Sequence, residues 1–429
     1  MALLTGTEGT PAIIGRDAAV DLVKAACLLI VVGLHAMMAG FTVDDRGLNI
    51  TNSLAGHPIF AWATWGLQVM PLFFLLGGFS SLTQWRRMQA QGATSGDYIR
   101  QRVHRLGDPA LLPIALVAVT LAIAVLAGAS NDVLGQIGFR IGQPLWFLAV
   151  YIGCSGFIPL MARLHDRAPV LALLCLLGLA MLVDTALLVF ENPAIGACNF
   201  LFVWLFVQQL GFWYADGWFL RRPRWLLFAL FLGAFGTLLL LTTVVGYSTD
   251  MYENLNPPTI CILVLGIGQL ALFSWAHPWL ERLARGALLS RAANAVNAHS
   301  MSIYLWHLPV VVIVGLTSIA IRLPVPEPLS RAWWETRPLF LLAIAVALTP
   351  VILLVSLYNR RRSKLEPVTA TRPWMAALQV ALAVAGVAVI LLVGFTPAPA
   401  AALGLTLLFV AVRIRSFRKR GITLPHDTL

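Results

Sequence analysis

Twelve apolar runs of about 20 residues each constrain this chain more than any other feature it has. They cover residues 18–42, 57–84, 109–129, 143–162, 168–189 and 197–219, then 225–245, 257–277, 299–320, 338–358, 374–394 and 399–415. A hydrocarbon layer about 30 Å thick is crossed by about 20 helical residues, and a helix satisfies its own backbone where no water can. The expected fold is therefore all-α: a polytopic transmembrane helix bundle of about 12 spans, with no separate soluble domain. The last two runs are the hardest to separate, because Thr396-Pro397-Ala398-Pro399 allows only a short turn. Composition agrees. The chain is 59% hydrophobic and 11% charged, against about 25% charged in soluble domains, too little charge to wrap such a core in water.

The net charge of +11 would suit a nucleic-acid partner, but its placement argues against one. With the N-terminus inside, only Arg46, Arg140, Arg322, Arg331 and Arg337 fall in outer loops, and Lys24 lies within a helix. The other basic residues gather in inner loops and tails, as in a chain with both termini in the cytoplasm. Arginine far outnumbers lysine, a bias that fits a GC-rich bacterial genome. Residues 1–358 read as a membrane core of about ten helices. Residues 359–429 add a basic inner loop, two further helices and a basic cytoplasmic tail. No internal repeat divides the chain into related halves, and Met1–Gly15 lacks the pattern of a cleaved signal peptide. The cysteines Cys27, Cys154, Cys175, Cys198 and Cys261 are odd in number and form no CxxC pair. They read as small buried hydrophobes, with no disulfide or metal expected.

Charge inside a bilayer costs about 2.5–3.5 kcal/mol per residue on insertion scales, so the ionisable residues within the spans carry the functional information. Lys24 and His35 are eleven positions apart in the first span. Eleven steps of about 100° end about 20° past three full turns, so both side chains share a face, about 16 Å apart along the axis. Asp21 precedes Lys24 by three positions and is placed to pair with it. The plainer reading has Lys24 snorkelling to the headgroups and His35 bonding between helices. A second polar island runs from Ser300 to Pro309, with Ser300, Tyr304 and His307 on one helical face. Pro309 withholds an amide hydrogen there. The segment Tyr98–Pro109, read as an inner loop, holds Arg100, Arg102 and Arg105, and guanidinium groups fork onto phosphates. Such a cluster usually marks only the inner face and its anionic lipid. The glycines of Phe73–Phe79 permit close helix approach, and Leu145–Leu148 reads as an aromatic anchor. Tyr247–Thr259 reads as a solvated outer loop.

Taken in order, these islands resemble acyltransferase family 3, a family of integral membrane enzymes. Lys24-x10-His35 with Asp21 is similar to that family's first-helix motif of a basic residue, ten residues and histidine. The Phe-Phe-x-x-small-Gly-Phe run matches at 73–79, and the arginine-rich segment before a proline at Arg102, Arg105 and Pro109. Trp146-Phe147-Leu148 and Ser302-Ile303-Tyr304-Leu305-Trp306-His307 follow, so the resemblance covers roughly residues 16 to 358. The chain departs from the pattern in having lysine at 24 instead of arginine, and Gly77 where serine is usual. The first change keeps charge but loses the fork, and the second removes a possible hydroxyl contact. There is no appended esterase-like domain, and extra apolar sequence follows residue 370.

The resemblance implies transfer of an acyl group, most often acetyl, from cytoplasmic acyl-CoA to a hydroxyl outside the cytoplasm. The acceptor would be a carbohydrate, a glycolipid or a secreted small molecule, and no metal is implied. Arg100, Arg102 and Arg105 would hold the donor's phosphates, and His35 would act as general base or transient acyl carrier. Lys24, oriented by Asp21, would bind the donor or balance charge. His307, Tyr304, Ser302 and Trp146 would position the thioester or the acceptor. The rival readings are a proton-coupled transporter relaying protons through Lys24 and His35, and a flippase-like helper without catalysis.

Overall fold

The computed structural model describes residues 17–44, 47–324, 326–362 and 371–414. The basic inner loop expected from residue 359 begins as helix up to Arg362, and residues 363–370 and the basic tail from 415 lie outside the described residues. The first helices are α1 (Ala18–Met38), α2 (Pro58–Leu67), α3 (Met70–Ala90), α4 (Ser95–Leu126), α5 (Asn131–Gly142) and α6 (Leu145–Arg167). Next come α7 (Pro169–Phe190), α8 (Pro193–Gly196), α9 (Asn199–Ala215), α10 (Arg224–Leu240) and α11 (Ile260–Ala284). The chain closes with α12 (Ala287–Ala298), α13 (Ser300–Ala320), α14 (Arg331–Arg362), α15 (Pro373–Val393) and α16 (Ala398–Arg413). Among the described residues, 11 helical stretches are long and apolar enough to cross a membrane, and α16 is a shorter apolar helix. The chain is thus an all-α, multi-pass membrane protein, with helices close to the apolar runs of its sequence.

The fold comprises two compact units. The first holds the chain through Leu34, Leu54–Gln84 and Leu160–Ser300. Here the run 57–84, expected as one helix, is broken between α2 and α3. Pro71 at the start of α3 supplies no amide to the preceding turn, which ends α2. A broken helix in lipid needs partners for its freed backbone, and Gln269 of α11 provides both. Its side-chain oxygen accepts from the Leu72 amide at 2.9 Å, and its side-chain nitrogen donates to the Gln68 carbonyl at 2.8 Å. Asp184 of α7 ties four segments by accepting from Asn199, Tyr247 and the Ile260 amide at 2.7–3.0 Å. The segment 247–259 is packed against its neighbours, in contrast to the solvated loop expected. Met251 and Asn254 are buried, and Trp65 donates to the Thr249 carbonyl. Close approach through the glycines of 73–79 is realised: α3 and α9 touch backbone to backbone, with Gly78 against Gln208 and Gly211 against Leu75.

The second unit holds His35–Ser53, Trp85–Pro159 and the chain from Met301 onward. A hairpin of β1 (Ala39–Asp44) and β2 (Gly47–Asn52) follows α1, where the sequence reading placed the end of a span and a loop. The Ile50 amide bonds the Gln136 side chain of α5 at 2.8 Å, and Phe41 packs against Gly315 of α13. The basic segment 98–109 is helical, continuous with the apolar run after it. Its start is fixed by a capping box, in which Thr94 accepts from the Asp97 amide and Asp97 accepts from the Thr94 amide. Charge hid this start, because a hydropathy reading sees only the apolar part of the helix. The helices α15 and α16 form a hairpin that packs on α4. Gly386 and Gly404 let the two helices cross closely, and Leu408 and Val412 of α16 lie over Gly107 of α4. Arg413 bonds Asp108 at 3.3 Å, and the Thr371 amide donates to Asp97 at 2.8 Å. The cysteine expectation holds in part: Cys27, Cys154 and Cys261 are buried, but Cys175 on α7 and Cys198 in the turn before α9 are exposed.

The α3–α9 contact yields a paired test. A methyl group at Gly211 would overlap the Leu75 carbonyl and the Phe79 amide, whereas one at Gly233 meets nothing within 4 Å. Gly211→Ala is expected to destabilise by about 1–3 kcal/mol, and Gly233→Ala to leave stability unchanged or raise it by up to about 1 kcal/mol. Thermal midpoints of the two variants in detergent check the contrast.

Candidate functional site

In the second unit, α1 and α13 bring two histidines together. His307 is fully buried, and its Nδ1 lies 2.6 Å from the carbonyl oxygen of Tyr304, one turn back on the same helix. Its Nε2 lies 3.1 Å from Nδ1 of His35, with the rings tilted by 34° and their centroids 5.1 Å apart. Tyr304 is itself held, since its hydroxyl donates to the Pro144 carbonyl at 2.6 Å. His35 is half-buried and lines a narrow recess together with Phe41, Ile50, Arg140, Gln143 and Leu308. The first-helix histidine and the histidine of the 302–307 motif thus form one hydrogen-bonded pair beside an opening.

Rings continue from this pair toward the basic turn of α4. Tyr304 meets Phe147 edge-on at 5.1 Å, and Phe147 stacks on Tyr151 at 5.2 Å. Tyr151 accepts a hydrogen bond from Nη2 of Arg102 at 3.2 Å and places its ring beneath that guanidinium. Trp146 packs edge-on against Phe147 at 6.3 Å. Phe147 is buried, so the aromatic run around it faces into the unit and is more than an interfacial anchor. Arg102 is buried, whereas Arg105, one turn on, is exposed, and Arg100 is half-buried. The three arginines are therefore graded from surface to interior and do not form one flat patch. Ser302 is half-buried, and two residues before Tyr304 it points to another side of α13.

In the first unit, the Lys24 ammonium donates to the Ser80 hydroxyl, which donates in turn to the Leu76 carbonyl of α3. Ser80 thus supplies a hydroxyl beside the basic residue although position 77 is glycine. The Asp21 carbonyl accepts from the Asn297 side chain at 2.8 Å, anchoring that turn of α1 to α12. Because α1 is continuous from Ala18 to Met38, Lys24 and His35 do lie on one helical stripe. Among the described residues no cluster of metal-ligating side chains occurs.

A family model of an acyltransferase domain, that of acyltransferase family 3, matches residues 17–357, more than three-quarters of the chain. No curated protein and no solved structure matches the chain.

Two sets of residues escaped the sequence reading. Tyr151 follows Phe147 by one helical turn, a spacing that puts both on one face, yet nothing local marks it as the partner of Arg102. Asp17 caps α1, accepting from the Ala19 and Val20 amides at 2.9 and 3.1 Å through one carboxylate oxygen. Its other oxygen accepts from the Tyr214 hydroxyl at 2.6 Å and faces His277 Nε2 at 3.1 Å. An acidic residue before an apolar run is a legible cap signal, but its remote partners are not. Burial raises the Asp17 carboxyl, and the hydrogen bonds from His277, Tyr214 and the Val20 amide outweigh it, so the group sits below its ordinary value. A lowered carboxylate stabilises the fold above its unfolded value, and this stability is lost as pH falls through the folded one. Asp17→Asn keeps a capping oxygen but loses the charge facing Tyr214 and His277, so it is expected to cost about 1 kcal/mol at neutral pH, the difference between a charged and a neutral hydrogen bond. Its gap from the native protein should close on acidification, as read from thermal midpoints across pH.

Proposed function

The chain belongs to acyltransferase family 3, and from that premise we propose that it moves an acyl group, acetyl by preference, from cytoplasmic acyl-CoA to a hydroxyl outside the cytoplasm. The acceptor class is a carbohydrate, glycolipid or secreted small molecule, and the protein sits in a bacterial plasma membrane with both termini inside. The observation that carries this reading is the half-buried His35, hydrogen-bonded to His307 at the edge of a recess. An imidazole held this way is suited to general-base work, since one ring nitrogen can take a proton while the other stays hydrogen-bonded.

In this reading, exposed Arg105 and half-buried Arg100 attract the donor's phosphates at the first turns of α4, and Arg102 anchors the inner end of that path. The rings of Tyr151, Phe147 and Tyr304, with Trp146 beside them, give the donor's arm an apolar wall. His35 removes the proton of the acceptor hydroxyl as its oxygen attacks the thioester carbon. The C–S bond then breaks, and the departing sulfur takes the proton back from the imidazolium. If His35 instead attacks first, the acyl group rests on its ring, CoA leaves as the thiol with the proton that the ring gives up, and the acceptor oxygen displaces the histidine in a second step as its own proton returns to the ring. Lys24, held on the Ser80 hydroxyl, is the charged member of the first-helix motif, and Asp21 on the same helix is its orienting partner in this reading. Ser302 belongs to the acceptor side.

One observation also favours a second reading. A pair of hydrogen-bonded histidines inside a membrane span is what a proton relay uses, so proton-coupled transport stands as the alternative. Purified protein and labelled acetyl-CoA separate the two. His35→Ala is expected to lower acyl transfer by about 10²–10⁴-fold while the protein stays folded. Arg102→Ala is expected to raise the donor KM by about 10-fold or more, the size of a lost charge-assisted hydrogen bond. Proton-driven uptake into vesicles, lost in His35→Ala with no transferase activity in the native protein, would favour the transporter. Deleting the gene is expected to remove one acetyl group's mass from an envelope glycan or a secreted metabolite.

A further inference from the structure

We propose that His307 is a positioning residue that fixes the tautomer of His35, with the hydrogen on Nδ1, so that Nε2 of His35 is the atom that takes the acceptor's proton. The inference rests on the acyl-transfer reading for its chemistry, but its geometry stands alone. The oxygen that faces His307 Nδ1 at 2.6 Å is a backbone carbonyl, which only accepts. Nδ1 of His307 must therefore carry a hydrogen. In the neutral ring, Nε2 then holds the lone pair, and the atom 3.1 Å from it is Nδ1 of His35. That nitrogen has to donate. A neutral His35 with hydrogen on Nδ1 keeps its own lone pair on Nε2.

The opposite arrangement requires His307 to carry both hydrogens and hence a charge. Its ring has no exposed surface, and the partners it meets are the Tyr304 and Ile303 carbonyls and another imidazole, none of them an anion. Burying an unpaired charge there is far costlier than keeping the ring neutral. The carbonyl is also well held, because the Tyr304 hydroxyl is pinned on Pro144. The chain Pro144–Tyr304–His307–His35 thus does with a neutral imidazole what a buried carboxylate does in a serine hydrolase triad: it orients the base and selects its tautomer. When Nε2 takes the proton of the acceptor hydroxyl, the positive charge on His35 strengthens the bond from Nδ1 to His307. The proton leaves Nε2 again with the sulfur of the donor.

Nitrogen-15 NMR of the full-length protein in nanodiscs, labelled at histidine, reads the tautomer without any substrate, with His35 assigned by its loss in His35→Ala. The native protein is expected to show a protonated Nδ1 and an unprotonated Nε2 at His35. His307→Phe, which keeps bulk but accepts nothing, should mix the two tautomers. It should also lower kcat for acyl transfer by about 10²–10⁴-fold with the donor KM little changed. His307→Gln, whose side-chain oxygen can accept from Nδ1, should restore both the tautomer and most of the rate. An unprotonated Nδ1 in the native protein overturns the proposal, as does a His307→Phe variant that loses activity with the tautomer intact. A native protein with the expected tautomer but no transfer from acetyl-CoA removes the acyl-transfer reading and leaves the histidine assignment standing.

Discussion

A bilayer offers no water to an unpaired polar group, and this one constraint explains why so few side chains hold so much of the structure. Where α2 breaks from α3, a single glutamine, Gln269, answers the freed amide and carbonyl together. Where Asp184 is buried, three donors converge on its carboxylate. Where His307 is buried, each ring nitrogen meets a partner. In each case the alternative to pairing costs several kcal/mol, so these groups are fixed in place far more firmly than an exposed hydrogen bond would be. Rigidity at the candidate site follows from its surroundings: the paired His307 ring is held by contacts that the medium makes obligatory.

The same constraint explains what the sequence reveals. Length and apolarity locate the helices because every span must obey one rule, and Lys24 and His35 fall on one stripe because α1 is an uninterrupted helix. The family resemblance over roughly residues 16–358 agrees with the matched span 17–357. Local rules fail where pairing is remote. Nothing near His35 announces His307, 272 positions away, and nothing near Asp17 announces Tyr214 or His277. Arg102 and Arg105 look alike as sequence, yet α4 turns one to the interior and the other to the surface. The β-hairpin 39–52 is not legible because its strands are only six residues each and Ala39–Phe41 continues the apolar run of α1, even though Phe41, Val43, Leu48 and Ile50 alternate with polar residues. The start of α4 was missed because hydropathy reports the apolar part of a helix, whereas the capping box reports where it begins.

Aromatic residues give the second unit a continuity that backbone hydrogen bonds alone would not. From Arg102 through Tyr151, Phe147 and Tyr304 to the two histidines, each member touches the next. Such a wall is apolar in body and polar at its ends. The recess lined by His35 brings the polar side chains of Arg140 and Gln143 to the same mouth.

The matched family region ends at residue 357, yet the turn of α4 that bears its arginines leans on what comes afterwards. Thr371 is bonded to Asp97, Leu408 and Val412 cover Gly107, and Arg413 reaches Asp108. The arginine turn is therefore splinted from outside the shared domain. A lineage that varies only this trailing hairpin would shift the stiffness and tilt of its arginine ladder while every motif residue stays unchanged. Two proteins with identical motifs would in this way differ in how firmly that turn is held.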